Sequence, residues 1–193
     1  MKYLNEILIN WSDSDIEDSG LIKVSDVRNQ MKPEQLIYKV NMPSQIKIFN
    51  SGWISRNAEY QYKVYINREY VKLDSEGWTI NEYEPGKYYV DIEDFDKLQY
   101  FKSYIFSECY DLISINIPNS VTSIGHRAFY YCTGLTTVTI PTSVTSIDED
   151  AFVGCKKLKK VYIEDMEKFK QIKFENVYSN PIWYGAKLIE LKK

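Results

Sequence analysis

Residues of the same type recur every 23 positions through the second half of this chain, and this period constrains the fold more than any other feature. The cysteines show it most simply, because Cys109, Cys132 and Cys155 are separated by two steps of 23 residues. The same step relates Phe106, Phe129 and Phe152; Leu112, Leu135 and Leu158; Ile115, Val138 and Val161; and Ile117, Ile140 and Ile163. A fixed period of this length is typical of solenoids, in which each repeat stacks on the one before it.

Each repeat contains a short segment in which apolar and polar residues alternate. In the segment 135–140, Val138 and Ile140 would lie on one face of an extended chain, with Thr137 and Thr139 on the other. A single repeat cannot bury its apolar row, but stacked repeats can, since each apolar residue then contacts its copy in the next repeat. The sequence therefore predicts a stack of strands with a polar outer face.

The motif that follows each strand resembles a known repeat class. The segments 117–125 and 140–147 read Ile-Pro-Asn-Ser-Val-Thr-Ser-Ile-Gly and Ile-Pro-Thr-Ser-Val-Thr-Ser-Ile, and each precedes an Ala-Phe pair and a cysteine. They are similar to the leucine-rich repeats of the BspA-like, or Treponema-type, class. The resemblance implies a solenoid that works by contact. It also implies one of two settings, bacterial surface proteins or virion proteins of phages that infect gut bacteria.

The segment between residues 36 and 93 has a different pattern. Four stretches in it, 36–42, 45–49, 60–66 and 88–92, are rich in β-branched and aromatic residues and are bounded by Pro, Ser, Asn or Gly. Several short strands at this spacing predict a small antiparallel β-sandwich. The stretch from Tyr83 to Val90 also resembles, in part, the closing strand of polycystic-kidney-disease-type (PKD-type) β-sandwiches.

These patterns together predict a mainly β protein with short helices, in which an N-terminal β-sandwich-like cap covers a short leucine-rich-repeat solenoid. We expect an N-terminal arm over residues 1–35, the sandwich-like domain over 36–93, and the solenoid with its C-terminal cap over 94–193. Within the solenoid, residues 94–110 look like a first repeat, because Leu98 and Phe101 lie 23 residues before Val121 and Ile124. The repeat is degenerate in its strand half, where Asp94 stands in place of an inward-facing Ile. At the other end, a short helix near Met166 and a final edge strand over 186–191 should close the last repeat.

Composition and charge exclude several classes of function. The net charge is −3 and the isoelectric point is near 5.4, which does not suit a general nucleic-acid binder. No stretch is long and apolar enough to insert into a membrane. The first eleven residues lack the features of a secretory signal, which favours a virion location over an extracellular or cell-surface one.

The sequence also lacks an arrangement typical of catalysis or of cofactor binding. Three cysteines at one repeat position are better explained as small core residues than as metal ligands. The acidic run beginning at Asp13 resembles the start of a calcium loop but lacks its glycine and its final glutamate. His126 is the only histidine and lies in a variable part of the repeat. We therefore predict no catalytic residue, no metal, no cofactor and no enzymatic activity.

Recognition by surface contact remains. The outward-facing residues of the stacked strands are Ser114, Asn116, Thr137, Thr139, Lys160 and Tyr162. They form a candidate binding surface, although they could equally be the solvated side of a sheet. The expected function is a structural or attachment protein of a larger assembly, such as the tail or capsid decoration of a phage virion. Its partners would be other protein subunits, and a host surface protein or glycan is also possible. The alternative is a secreted bacterial surface adhesin or glycan-binding module.

Overall fold

The computed structural model of the protein describes residues 36–50 and 63–191. The N-terminal arm, the candidate calcium loop within it, part of the strand expected at 60–66, and the two final lysines lie outside the described residues. Within the described residues, no helix has the length and apolar character needed to cross a lipid bilayer.

The described part of the chain is built almost entirely from short strands. In chain order they are β1 (Leu36–Val40), β2 (Val64–Ile66), β3 (Glu69–Val71), β4 (Gly86–Ile92), β5 (Tyr100–Phe101), β6 (Leu112–Asn116), β7 (Ser123–Ile124), β8 (Thr137–Ile140), β9 (Ser146–Ile147), β10 (Lys160–Ile163), β11 (Lys173–Phe174) and β12 (Lys187–Glu190). One short α-helix, α1 (Met166–Lys170), precedes β11. Two 3₁₀ turns cover Phe95–Lys97 and Val177–Ser179. The prediction of a mainly β protein with short helices is confirmed.

Two sheets run along the solenoid. The larger has eight strands in the order β12-β10-β8-β6-β1-β4-β2-β3, and the smaller has four in the order β11-β9-β7-β5. Strands one repeat apart pair in parallel, and residues 23 positions apart stand side by side, as Ile115, Val138 and Val161 do. The sequence period therefore becomes the register of the sheet.

Aromatic stacking fills the centre of the solenoid. The rings of Phe106 and Phe129 stack with centroids 5.5 Å apart, and those of Phe129 and Phe152 stack at 5.0 Å. The three cysteines are free and fully buried in the same core. Burial of identical residues above one another lets each repeat cover the apolar surface of its neighbour.

The N-terminal strands continue the larger sheet. Strand β1 lies between β4 and β6 and is antiparallel to both, so that Leu36 pairs with Val90 on one side and with Ile115 on the other. The predicted boundary at residue 93 therefore does not separate two sheets. Tyr38 Oη donates a hydrogen bond to the carbonyl of Ile48, in the segment that follows β1. This segment makes isolated bridges at Ser44 and Lys47. The β-sandwich-like character of the cap stays a prediction.

The degenerate first repeat pairs with the next repeat as expected in the smaller sheet but not in the larger one. In the smaller sheet, β5 pairs in parallel with β7, with Phe101 beside Ile124, as the 23-residue step predicts. In the larger sheet, β4 points the same way as β6, but β1 is inserted between them. Asp94 is exposed and has a left-handed backbone beyond the end of β4, at the place where the repeat pattern predicts an inward-facing Ile. Strand β1 of the cap occupies the place beside β6 instead.

The C-terminal end follows the expected plan. Helix α1 begins after Asp165, whose carboxylate accepts a hydrogen bond from the backbone N–H of Lys168 at 2.9 Å. Strand β12 pairs in parallel with β10 and lies at the edge of the larger sheet. The last repeat is thus covered by one helix, one edge strand and the 3₁₀ turn that carries Tyr178.

Candidate recognition surface

The register of the larger sheet aligns the predicted binding residues in two rows. The first row contains Ser114, Thr137, Lys160 and Lys187, and the second contains Asn116, Thr139, Tyr162 and Ile189. Each row crosses four consecutive strands, so its members lie roughly one strand spacing apart. The sequence placed six of these residues on one face, and the pairing brings them together there.

The two rows differ in their accessibility. Thr139 is only 7% exposed and Tyr162 only 4% exposed, so neither offers the open surface that the sequence predicted. The hydroxyl of Thr139 is also engaged within the protein, at 2.7 Å from Oδ1 of Asn116. Alternation along a strand decides which face a side chain occupies, but it does not decide whether that face is open to solvent. Ser114, Asn116 and Lys160 remain partly exposed, as does Thr137.

Lys187 is a member of the first row that sequence reasoning missed. It lies beside Lys160 in the parallel pairing of β12 with β10, and it is exposed. The two lysines make the C-terminal end of this row positively charged. The spacing between them does not follow the 23-residue step, so the repeat pattern carried no signal for this contact.

A second surface is formed by the turns that close each repeat. Two positions of every turn have a left-handed backbone: Tyr104, Arg127 and Asp150 at the first position, and Glu108, Tyr131 and Gly154 at the second. Members of each set are 23 residues apart. Because left-handed residues reverse the chain in the same way in each repeat, successive turns superimpose and their side chains form columns along the solenoid.

A polar column lies at the first left-handed position. Arg127 donates to the carboxylate of Asp150, with 3.1 Å between Nη2 and Oδ2, and Asn176 Nδ2 donates to Oδ1 of the same carboxylate at 2.9 Å. The hydrogen bond to Asp150 is the main cause of a raised pKa for the Arg127 guanidinium. The carboxylate of Asp150 thus joins two repeats and the C-terminal cap, and its charge is balanced by Arg127.

An aromatic strip lies next to this column and consists of Tyr130, Tyr131, Tyr178, Trp183 and Tyr184. The rings of Tyr130 and Tyr131 are 4.6 Å apart, and those of Tyr178 and Trp183 meet edge to face at 5.9 Å. Tyr131, Tyr178 and Trp183 are among the most exposed large apolar side chains of the described residues. The repeat pattern predicts no member of this strip as a binding residue.

The cysteines and His126, which are the residue types most often used in catalysis or metal binding, lie in the core or at the side of the turns. Burial is the main reason why the pKa values of Cys109 and Cys132 are raised and why that of Cys155 is raised to about 12. In the parts of the chain that the structure describes, no group of three or more His, Cys, Asp or Glu side chains could hold a metal ion. His126 lies 3.1 Å from the hydroxyl of Tyr104 and 4.0 Å from the Glu149 carboxylate, at the side of the turns.

A family comparison accounts for this architecture. The family described as a BspA type leucine-rich repeat region, with six copies, matches residues 87–190, which is more than half of the 193-residue chain. The chain belongs to the BspA type leucine-rich repeat family. The match begins at β4, so it includes the degenerate first repeat of this BspA type chain.

Two other comparisons add less. A similar solved structure is the crystal structure of a leucine-rich cell surface protein from Faecalibacterium prausnitzii A2-165, with 33% sequence identity and a TM-score of 0.36. The similarity covers 38% of this BspA type chain and 20% of the other chain. No curated protein matches. The PKD-type resemblance of the segment near Tyr83 has no counterpart among these findings and stays a prediction.

Proposed function

We propose that this BspA type chain is a non-catalytic recognition module of the adhesin kind, which binds a protein partner at a cell surface. Membership of a repeat family that works by contact supports the proposal. The observation that carries it is the first row of the strand face, in which partly exposed polar side chains from four repeating strands stand in register. Extended concave or flat surfaces of this type are what solenoids use for binding.

The adhesin setting is preferred to the virion setting. The virion setting is the first expectation from the sequence. Neither the family match nor the structural comparison supports a virion role. The similar solved protein is described as a cell surface protein, and we propose an extracellular or surface location for this chain.

The polar and charged groups along the first row indicate which groups the contact surface of the partner should carry. Ser114 and Thr137 supply hydroxyl groups that can donate or accept hydrogen bonds. Lys160 and Lys187 follow them and make that end of the row cationic. The proposed partner is therefore a protein whose contact surface is acidic at one end. Electrostatic attraction between partly exposed charges speeds association and weakens as salt screens it.

Binding to intact cells tests this function. Fluorescently labelled chain would be added to epithelial cells that are untreated, treated with protease, or treated with periodate to oxidise glycans. We expect cells treated with protease to lose the partner of the strand face and therefore to stop binding the chain there. Cells treated with periodate should keep that protein partner and still bind. Binding that survives protease in full would overturn the protein-partner proposal.

Charge reversal locates the contact. Lys160→Glu combined with Lys187→Glu should lower cell binding about tenfold or more, since each reversal replaces attraction by repulsion. Lys168→Glu on α1 combined with Lys72→Glu in the cap is the matched control, because it also reverses two exposed lysines and neither belongs to the row. Equal binding by both variants would exclude the strand face as the contact.

The size of the isolated chain separates the two settings. An adhesin module should elute as a stable monomer in size-exclusion chromatography with light scattering. A chain that forms defined higher assemblies by itself would instead favour the structural role in a virion.

A further inference from the structure

We propose that the aromatic strip on the turn side of the solenoid is a carbohydrate-binding site that takes an extended, neutral oligosaccharide. This site is separate from the strand face and does not depend on the protein-partner proposal. It consists of side chains from the first full repeat and from the C-terminal cap, which come together only in the folded chain.

The centre of the strip is a contact between two repeats at a glycine. A Cβ atom at Gly154 would lie 2.9 Å from ring atoms Cγ and Cδ2 of Tyr131, so the Tyr131 ring rests directly against the Gly154 backbone. The Gly154 N–H donates to the hydroxyl of Tyr184 at 3.1 Å. Tyr131 and Tyr184 therefore meet at Gly154, and 45% of Tyr131 is still exposed.

The C-terminal end of the strip is held in place by capping interactions. Asn176 Oδ1 accepts a hydrogen bond from the backbone N–H of Ser179, and the Ser179 hydroxyl accepts one from the backbone N–H of Asn176. This capping box fixes the 3₁₀ turn that carries Tyr178. Trp183 lies edge to face with Tyr178 and is 51% exposed. Tyr178 is therefore exposed on a firmly held turn, and Trp183 packs against its ring from the segment that follows.

Rigid exposed aromatic rings suit the apolar faces of sugars. One face of a pyranose ring carries C–H groups, which pack against the electron-rich face of an aromatic ring. The hydroxyl groups of the sugar point outward from its edge and need hydrogen-bonding partners. Tyrosine hydroxyls and the Arg127, Asp150 and Asn176 side chains beside the strip provide donors and acceptors for them.

The charges at this site favour a neutral ligand. Arg127 and Asp150 neutralise each other, so the polar column does not present an unpaired cation for a phosphate or a nucleic acid. A protein interface normally centres on an anchor residue that enters a pocket. The strip instead presents two pairs of rings, Tyr130 with Tyr131 from one repeat and Tyr178 with Trp183 from the C-terminal cap, which successive units of an extended oligosaccharide can contact.

Titration with defined sugars tests the site. The purified chain would be titrated with cellohexaose, chitohexaose and an α-linked hexamannose, and binding would be measured by calorimetry and by tryptophan fluorescence. We expect at least one hexasaccharide to bind. Trp183→Ala and Tyr131→Asn should each weaken that binding about tenfold, since each removes one stacking ring. Asn is used at residue 131 because it tolerates the left-handed backbone found there.

Two control variants also remove an exposed aromatic ring, but at positions outside the strip. Tyr70→Ala in β3 and Tyr100→Ala in β5 remove exposed rings outside the strip and should bind the sugar as the unmodified chain does. The double reversal at Lys160 and Lys187 should also leave sugar binding unchanged, which separates this site from the strand face. Failure of all three hexasaccharides to bind, or equal loss in the strip and control variants, would overturn the proposal. So would loss of a protein partner, rather than of a sugar, in the strip variants.

Discussion

The thiol of Cys132 donates a hydrogen bond to the backbone carbonyl of Phe106, with 2.9 Å between sulfur and oxygen. One repeat later, the thiol of Cys155 makes the same bond to the carbonyl of Phe129 at 3.1 Å. Each cysteine therefore contacts the preceding repeat, and the recurring cysteine is a link between repeats as well as a core residue. Both thiols are fully buried, which makes their ionised forms unfavourable in the folded protein.

Stability should fall in alkaline solution because of these thiols. Burial raises the pKa of Cys155 to about 12, whereas an unfolded thiol has a pKa near 8.5. The folded thiol keeps its proton while the unfolded one loses it, so the free energy of unfolding decreases as pH rises above about 8.5, by up to about 1.4 kcal/mol per pH unit for each thiol. Urea unfolding between about pH 7.5 and about pH 10 measures this slope.

Replacement of one thiol provides the control for the alkaline effect. Cys155→Ala should flatten the dependence of unfolding free energy on pH by about 1.4 kcal/mol per pH unit above about pH 9. The slope is compared because the loss of packing lowers stability at every pH. An unchanged slope would mean that the thiol ionises as readily in the folded protein as in the unfolded chain.

Phe49 of the cap should be essential for stability. Its ring stacks on that of Phe106, with centroids 5.8 Å apart, and continues the phenylalanine stack beyond the first repeat. The neighbouring carbonyl of Ile48 accepts a hydrogen bond from the thiol of Cys109. Phe49→Ala should lower the free energy of unfolding by about 3 kcal/mol, since it removes a buried ring from a packed column. Urea denaturation measures the change.

Met42 offers a matched control in the same module. It is 75% exposed, so Met42→Ala should change stability by less than about 0.5 kcal/mol. If Phe49→Ala had as little effect as Met42→Ala, the Phe49 ring would not stabilise the end of the phenylalanine stack.

Gly154 and Gly185 allow backbone strain to be separated from a steric clash. Both have a left-handed backbone, with φ of 80° and 84°, but a Cβ at Gly185 would meet no atom within 4 Å. Gly185→Ala should therefore cost about 1 kcal/mol, from strain alone. Gly154→Ala should cost about 1 kcal/mol more, because its Cβ would press on the Tyr131 ring. Thermal and urea unfolding of both variants give these differences.

A double variant tests the source of the additional cost. When Gly154→Ala is combined with Tyr131→Gly, which removes the clashing Cγ and Cδ2 atoms and tolerates the left-handed backbone, the two changes should not be additive. Additive effects would show that the Tyr131 ring does not constrain residue 154.

Asp150 should contribute more than an ordinary surface ion pair. Its carboxylate accepts hydrogen bonds from Arg127 and Asn176 and is only 17% exposed. Asp150→Ala should lower the free energy of unfolding by about 2 kcal/mol, since it removes these acceptors and places alanine at a left-handed position. Asp150→Asn keeps one acceptor oxygen and tolerates that backbone, so it should cost about 1 kcal/mol.

The exposed ion pair between Glu167 and Lys170 is the comparison. These side chains are 2.7 Å apart but largely solvated, so Glu167→Ala should cost less than about 0.5 kcal/mol. If Asp150→Ala and Glu167→Ala had equal effects in urea denaturation, the polar column would not link the repeats to the C-terminal cap.

The repeat half of the fold was predictable because its interactions are periodic. A step of 23 residues, set by Cys109, Cys132 and Cys155, became the register of the parallel strands, and alternation within each strand assigned side chains to the core or to the outer face. Local composition also placed β4, α1 and β12 close to their observed positions. These features follow from the sequence because each residue contacts its own copy or a near neighbour in the chain.

Tertiary structure alone decided the features that depend on non-repeating contacts. The insertion of β1 between β4 and β6, the stacking of Phe49 on Phe106 and the pairing of Lys187 with Lys160 join residues that share no period. The burial of Tyr162 and the aromatic strip also depend on what else packs nearby. The 23-residue period determined the stack, but the covering of its ends and the exposure of its surfaces were set by long-range packing, for which a repeat pattern contains no information.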